Sequence, residues 1–165
     1  MKSFSFNPIS NSNSSVLILG TMPGIKSLEL QQYYGHPYNN FWKFITKLLQ
    51  KELSDDYEKR KSILLENGIA LWDVLQFCDR IGSLDSAIKN EVPNDIEAFL
   101  KEHPAIKTIA FNGQKAAALF KKHITLEKTY EFIILPSSSP ANAGKTFELK
   151  LNEWKKITSS LITHV

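Results

Sequence analysis

A chain of 165 residues with 42% hydrophobic content carries enough apolar material for one domain with a core of its own. No run reaches the roughly 18 consecutive apolar residues of a membrane helix, and the polar start "MKSFSFNPISNSNSS" does not read as a secretory signal, so a cytoplasmic protein is expected. The single cysteine, Cys78, excludes a disulfide framework and a cysteine-rich zinc site. With 20 Lys and Arg against 17 Asp and Glu, the net charge of +3 permits an acidic partner without demanding one.

In chain order, residues 1–14 read as a peripheral segment ending in the polar "SNSNSS", within a single domain spanning 1–165. Four apolar runs follow, each short enough for a strand: 16–19, 68–75, 106–111 and 132–135. Stretches of helical period separate or follow them at 41–49, 57–66, 95–101, 114–121 and 149–161. In "VPNDIEAFL", Asn94 is the expected N-cap, with Glu97 completing a capping box. Runs apolar on both faces and alternating with helices predict an α/β fold in which a four-stranded parallel sheet is covered on both sides. In such sheets ligands gather beyond the carboxyl ends of the strands. That rule places "GTMPGIKSLELQQYYGHPYNNFW", "ALWDVLQFCDR", "FNGQ" and "LPSSSPANAG" around one crevice.

Several chemistries are excluded by what the chain lacks. There is no GxSxG elbow, HExxH pair, Walker loop or GxGxxG turn. The four histidines, at 36, 103, 123 and 164, have no partner at metal-ligand spacing, and no metal or cofactor is expected. "SSSP" with His36 and Asp73 could be drawn as a hydrolase triad, but nothing in the sequence sets a base against a serine.

The first polar loop is richer. Tyr34 offers a flat face at the mouth of the sheet, suited to stacking on a heterocycle. Of Asn39 and Asn40, one can cap the following helix and leave the other amide for the crevice, where it could hold a water or face a developing positive charge. The second loop places three hydroxyls, Ser137, Ser138 and Ser139, before Pro140, Ala141 and Asn142, a composition that lets backbone approach a phosphate. Asp73 and Asn112 close two strands at the same edge.

The segments "LGTMPGIKSLELQQYYGHPYNNFW", "GIALWDVL" with "RIGSLDSAI", "IAFNG" and "LPSSSPAN" together resemble the uracil-DNA glycosylase superfamily, in its hypoxanthine-DNA branch. The resemblance covers nearly the whole chain and implies a three-layer α/β/α domain that removes hypoxanthine from deoxyinosine in DNA, without metal or cofactor, as a monomer. It implies Asn39, in "HPYN", as the catalytic amide, and Tyr34 as the aromatic that meets the extruded base. Met22 stands where uracil-removing relatives carry an Asp or Asn, and Leu135 where they carry a His, which turns the expectation away from uracil. Tyr38 replaces a usual basic residue. Gly20, Met22, Asp73 and Asn112 are implied around the base, and Pro23, Gly24, His36 and residues 137–142 along the DNA strand. Removal of xanthine or mismatched uracil, and a non-catalytic module that senses damage, are the alternatives.

Overall fold

The computed structural model describes residues 2–140 and 144–161. Its centre is a four-stranded parallel sheet built from β2 (Val16–Gly20), β3 (Ile69–Asp73), β6 (Thr108–Asn112) and β7 (Glu131–Leu135), in the order β3-β2-β6-β7. The expected parallel sheet is therefore present. Each crossover carries helix: α1 (Ile25–Leu30), α2 (Phe41–Leu48) and α3 (Tyr57–Glu66) before β3, α4 (Ile96–Glu102) before β6, and α5 (Gln114–His123) before β7. The last helix, α6 (Phe147–Trp154), continues as a 3₁₀ segment, Lys155–Ser160.

The pleat divides the core into two layers, because successive side chains of a strand point to opposite faces. From β2, Val16 and Ile18 join Phe41, Phe44, Leu64 and Trp154 on the face covered by α2, α3 and α6. Leu17 and Leu19 join Ile96, Phe99, Leu119 and Phe120 under α4 and α5. All five residues of β2 are buried, as an interior strand with helices on both faces requires. The edge strand β7 differs: Phe132 and Ile134 are half-exposed, so coverage on both faces stops short of this edge.

The run expected as one strand over 68–75 is two elements. β3 ends at Asp73, and the chain turns at Val74 into β4 (Leu75–Asp79), which leaves the parallel sheet. With β1 (Lys2–Phe4) and β5 (Lys89–Pro93), β4 forms a separate antiparallel sheet in the order β1-β4-β5. The N-terminal segment is tied in beyond β1, through an antiparallel bridge from Ile9 to Leu71. The polar "SNSNSS" forms a closed turn: Asn11 N–H donates to Ser14 Oγ at 3.1 Å, and Ser14 and Ser15 are buried.

The cap of α4 also departs from expectation. Asp95 accepts from the Ala98 N–H at 3.0 Å, so it is the N-cap. Asn94 is buried one residue earlier, where its Nδ2 donates to the carbonyls of Asp73 (2.9 Å) and Leu75 (3.1 Å). Its amide thus holds the corner at which β3 becomes β4. No described helix is long and apolar enough to cross a membrane.

Candidate active site

Sheet order determines where the site forms. The chain leaves β2 toward β3 on one side and later returns to place β6 on the other, so the carboxyl ends of β2 and β6 lie at a topological switch point. A cavity of about 500 Å³ opens there. Its lining includes Gly20, Met22, Pro23, Gly24, Tyr34, His36, Asn39, Asp73, Asn112, Ser137, Ser138, Ser139 and Pro140. The structure thus brings together every residue expected at the site except Ala141 and Asn142, which lie outside the described residues.

The two polar loops are joined. Asn40 N–H donates to the Ser138 carbonyl at 3.0 Å, tying the entrance of α2 to the turn after β7. Ser138 is itself locked onto β6: its N–H donates to Asn112 Oδ1 at 2.9 Å, and Asn112 Nδ2 donates to its Oγ at 2.8 Å. Ser138 is fully buried and Asn112 nearly so. Ser138 therefore anchors the loop, and among the described residues its hydroxyl meets the Asn112 amide rather than a base. Gly113 makes this contact possible, since its φ of 100° suits glycine and an added Cβ would sit 3.2 Å from Ser137 Cβ. Trp154 Nε1 donates to the Pro136 carbonyl at 2.9 Å and secures the same loop from α6.

Asn39 and Asn40 exchange the roles their order suggests. Asn40 occupies the N-cap position of α2 but makes no side-chain cap; Asn39 Oδ1 instead accepts from the Phe41 N–H at 2.9 Å. The candidate catalytic amide is therefore held in one orientation by the helix it precedes, with a second lone pair on Oδ1. His36 is exposed, and its Nδ1 accepts from the Tyr38 N–H at 3.1 Å, while Tyr38 is 74% exposed.

Tyr33 and Tyr34 divide between packing and crevice. Tyr33 is buried, and its hydroxyl donates to the Asn7 carbonyl at 2.9 Å. Tyr34 has a left-handed backbone (φ 53°), a costly conformation for a large side chain. Its ring packs on Phe41 with centroids 4.3 Å apart, so the expected stacking platform is already backed on one side. Its hydroxyl turns inward and is buried, with no hydrogen-bond partner among the described residues. Burial, reinforced by the charge of Asp73 and partly offset by the nearby Asn112 amide, raises its pKa.

Beside it lies a cluster of charged groups of which the sequence suggested only Asp73. That residue is buried at the end of β3, with its pKa pushed up to about 7 by burial and by Asp85, against the pull of Arg80. Arg80, directly after β4, has a fully buried side chain. It donates to the carbonyls of Pro23 and Ser83, and its Nη1 lies 3.8 Å from Asp85 Oδ1. Ser83 Oγ accepts from the Ile25 N–H at 2.8 Å, so residues 80–85 close over the start of α1. Arg80, Ser83 and Asp85 stand within "RIGSLDSAI", where the available signal was an Arg and an Asp five apart in a polar loop directly after a strand.

The model of the Uracil DNA glycosylase superfamily matches residues 8–161. The chain is similar to a Hypoxanthine DNA glycosylase of Methanosarcina acetivorans, 37% identical over 153 residues that cover 92% of this chain and 95% of that protein. A Hypoxanthine DNA glycosylase of Methanosarcina barkeri is 38% identical over 143 residues, covering 86% and 89%. Among solved structures, the solution NMR structure of a candidate uracil DNA glycosylase from Methanosarcina acetivorans superposes with a TM-score of 0.80 at 36% identity, covering 95% of this chain and 96% of that one.

Proposed function

The chain belongs to the uracil DNA glycosylase superfamily, and from that premise we propose that it hydrolyses the N-glycosidic bond of deoxyinosine in DNA and releases hypoxanthine. The observation that carries this reading is the cavity at the switch point, where an oriented amide, Asn39, and a neutral-to-anionic carboxyl, Asp73, line one space large enough for a purine. Similarity to two hypoxanthine DNA glycosylases over most of the chain supports the choice of base.

The target bond is hidden within a duplex, so the nucleotide must first leave the stack, at a cost of a few kcal/mol that is smallest for a mispaired base. The extruded base would then enter the cavity past Tyr34. As the bond breaks, the sugar acquires oxocarbenium character, and the fixed Oδ1 of Asn39 would hold the attacking water and face the developing charge. An amide is a poor base, so its contribution is placement and dipole. The loop of residues 137–140, held to Asn112 and Asn40, would carry the strand as a monomeric enzyme engages it. Met22 also lines the cavity, but its thioether cannot orient a water as an amide does, which leaves the water to Asn39.

Incubation with duplexes carrying deoxyinosine, deoxyuridine, deoxyxanthosine or ethenodeoxyadenosine tests the reading. Free hypoxanthine and an alkali-labile abasic site are expected from the deoxyinosine duplex. DNA bound without base release would leave a damage-sensing module in its place.

A further inference from the structure

Ile81 is 88% exposed, more than any other large hydrophobic residue among those described. A single apolar residue on a surface is ordinary, but this one stands on a braced loop beside the cavity mouth. The next residue, Gly82, turns the chain at a φ of 79°, and a Cβ placed there would meet nothing within 4 Å. The tip of the loop therefore stands clear of the protein. Its stem does not. Arg80 donates to the carbonyls of Pro23 and Ser83 and pairs with Asp85, Ser83 Oγ accepts from the Ile25 N–H at 2.8 Å, and the Leu84 carbonyl accepts from the Ala87 N–H at 3.1 Å. Ser83, Leu84 and Asp85 line the cavity, and Leu84 is itself half-exposed. Held out in water, these two side chains add nothing to the core. A surface that covered them would gain the transfer of their apolar area from water.

The neighbours of the loop identify that surface. Across the cavity, residues 137–140 present hydroxyls and a proline, which suit a phosphate better than the face of a base. The sequence there, "SSSPANAG" over 137–144, holds no apolar side chain larger than proline. Tyr38, the next most exposed at 74%, rests its ring against His36, whereas Ile81 projects alone. A nucleotide that leaves a duplex opens a gap between two base steps, and an apolar side chain entering the stack at that point restores contact with the base faces. Resting on the reading of this chain as a base-flipping glycosylase, we propose that Ile81 is the apolar wedge that enters the base stack beside the extruded nucleotide, with Leu84 meeting the DNA at the cavity mouth. The bracing by Arg80 and Ser83 fixes the tip before DNA arrives, so little freedom is lost when it inserts. Ile81 then acts on the conformation of the DNA, raising the population of the open state, and leaves bond cleavage to the cavity.

Wild type, Ile81→Ala and Ile81→Leu are compared in two assays. The first measures affinity for a duplex carrying a tetrahydrofuran abasic analogue and for the same duplex intact, because the gap is preformed in one and absent from the other. The preference for the gapped duplex is expected to fall about tenfold in Ile81→Ala and to stay within about twofold of wild type in Ile81→Leu. The second measures single-turnover release of hypoxanthine from deoxyinosine in a duplex and in a single strand, where there is no pair to open. Duplex excision is expected to fall at least roughly fivefold in Ile81→Ala, with single-strand excision unchanged within about twofold. The proposal is overturned if wild type shows no preference for the gap or if Ile81→Ala keeps it. Equal loss of affinity for both duplexes also overturns it, since Ile81 would then be a general DNA contact, as does equal loss of excision from duplex and single strand, which would place the defect in the cavity. Failure of wild type to release hypoxanthine sinks the deoxyinosine reading instead, while the gap preference, which requires no bond to break, still judges Ile81.

Discussion

The two sides of the crevice are built on opposite principles. On the side of Asn39, Asn112 and Ser138, the half-buried Asn39 amide is tied to backbone, the buried Asn112 and Ser138 are locked to each other, and the two loops share the Asn40–Ser138 hydrogen bond. On the side of Asp73, Tyr34 and Arg80, each residue keeps a buried atom unpaired. The first arrangement gives rigidity and stability, since every satisfied buried group avoids the penalty of desolvation. The second gives stability away and leaves hydrogen-bonding capacity where a ligand can take it up. If Asn39 places the attacking water as proposed, preorganised placement belongs to the closed side, and the open side keeps the unspent hydrogen-bonding capacity.

The largest test of this contrast is the pH dependence of folding. An unfolded Asp releases its proton near pH 4, but Asp73 in the folded protein does so near 7. Between these values the unfolded state binds fewer protons, so stability must fall as pH rises, by on the order of 4 kcal/mol, and level off above the folded value. Asp85, Arg80, Tyr33 and Tyr34 all face this carboxyl electrostatically, and Arg80 alone opposes the shift. Urea unfolding midpoints measured across pH 5 to 8.5 should decline more steeply in wild type than in Asp73→Asn. Parallel curves would mean that Asp73 is paired after all and would erase the distinction between the two sides.

Asn39→Ala probes the closed side through catalysis. Removing one preorganised polar group is expected to lower single-turnover excision by roughly 10²- to 10³-fold, while duplex affinity survives. The structure adds a complication, because Asn39 also accepts from the Phe41 N–H. Asn39→Asp retains that acceptor and separates the two functions: a melting temperature restored to the wild-type value with excision still altered assigns the loss to the amide itself. Unchanged excision in Asn39→Ala would remove this residue from the chemistry.

The unequal legibility of the two sides has a physical cause. Asn39, Asn112 and the serines are short polar residues at the ends of apolar runs, and such residues have few local roles, so their positions narrow their meaning. The parallel sheet was legible for the same reason: runs apolar on both faces, such as residues 16–19, have few alternatives to a covered strand. The second sheet was not, because β5, "KNEVP", is mostly polar and has no buried residue, and β4 continued the apolar run of β3 through Val74. Asn94 was misread because a residue before Asp is a plausible cap on local grounds, whereas its actual partners are the carbonyls of Asp73 and Leu75, about twenty residues earlier in sequence. Arg80 and Asp85 acquire meaning only when the turn at Val74 carries β4 alongside the cavity. Charges paired through tertiary structure leave no periodic trace.

The smallest of these effects tests whether the closed side is as interlocked as its hydrogen bonds indicate. Asn112→Ala removes both hydrogen bonds to Ser138 at once and leaves the Ser138 N–H and hydroxyl buried without partners, which is expected to cost about 2 kcal/mol of stability. Ser138→Ala removes only the hydroxyl and keeps the N–H bonded to Asn112 Oδ1, so its cost should be nearer 1 kcal/mol. If the two residues act as one unit, the double variant should destabilise by less than the sum of the single variants, because either substitution alone already breaks the hydrogen bond between the Asn112 amide and the Ser138 hydroxyl. Additive losses would show that Asn112 and Ser138 stabilise the crevice separately. In that case the rigidity of the loop at 137–140 would have to come from Trp154 and its bond to the Pro136 carbonyl, moving the anchor of the closed side from the sheet to the terminal helix.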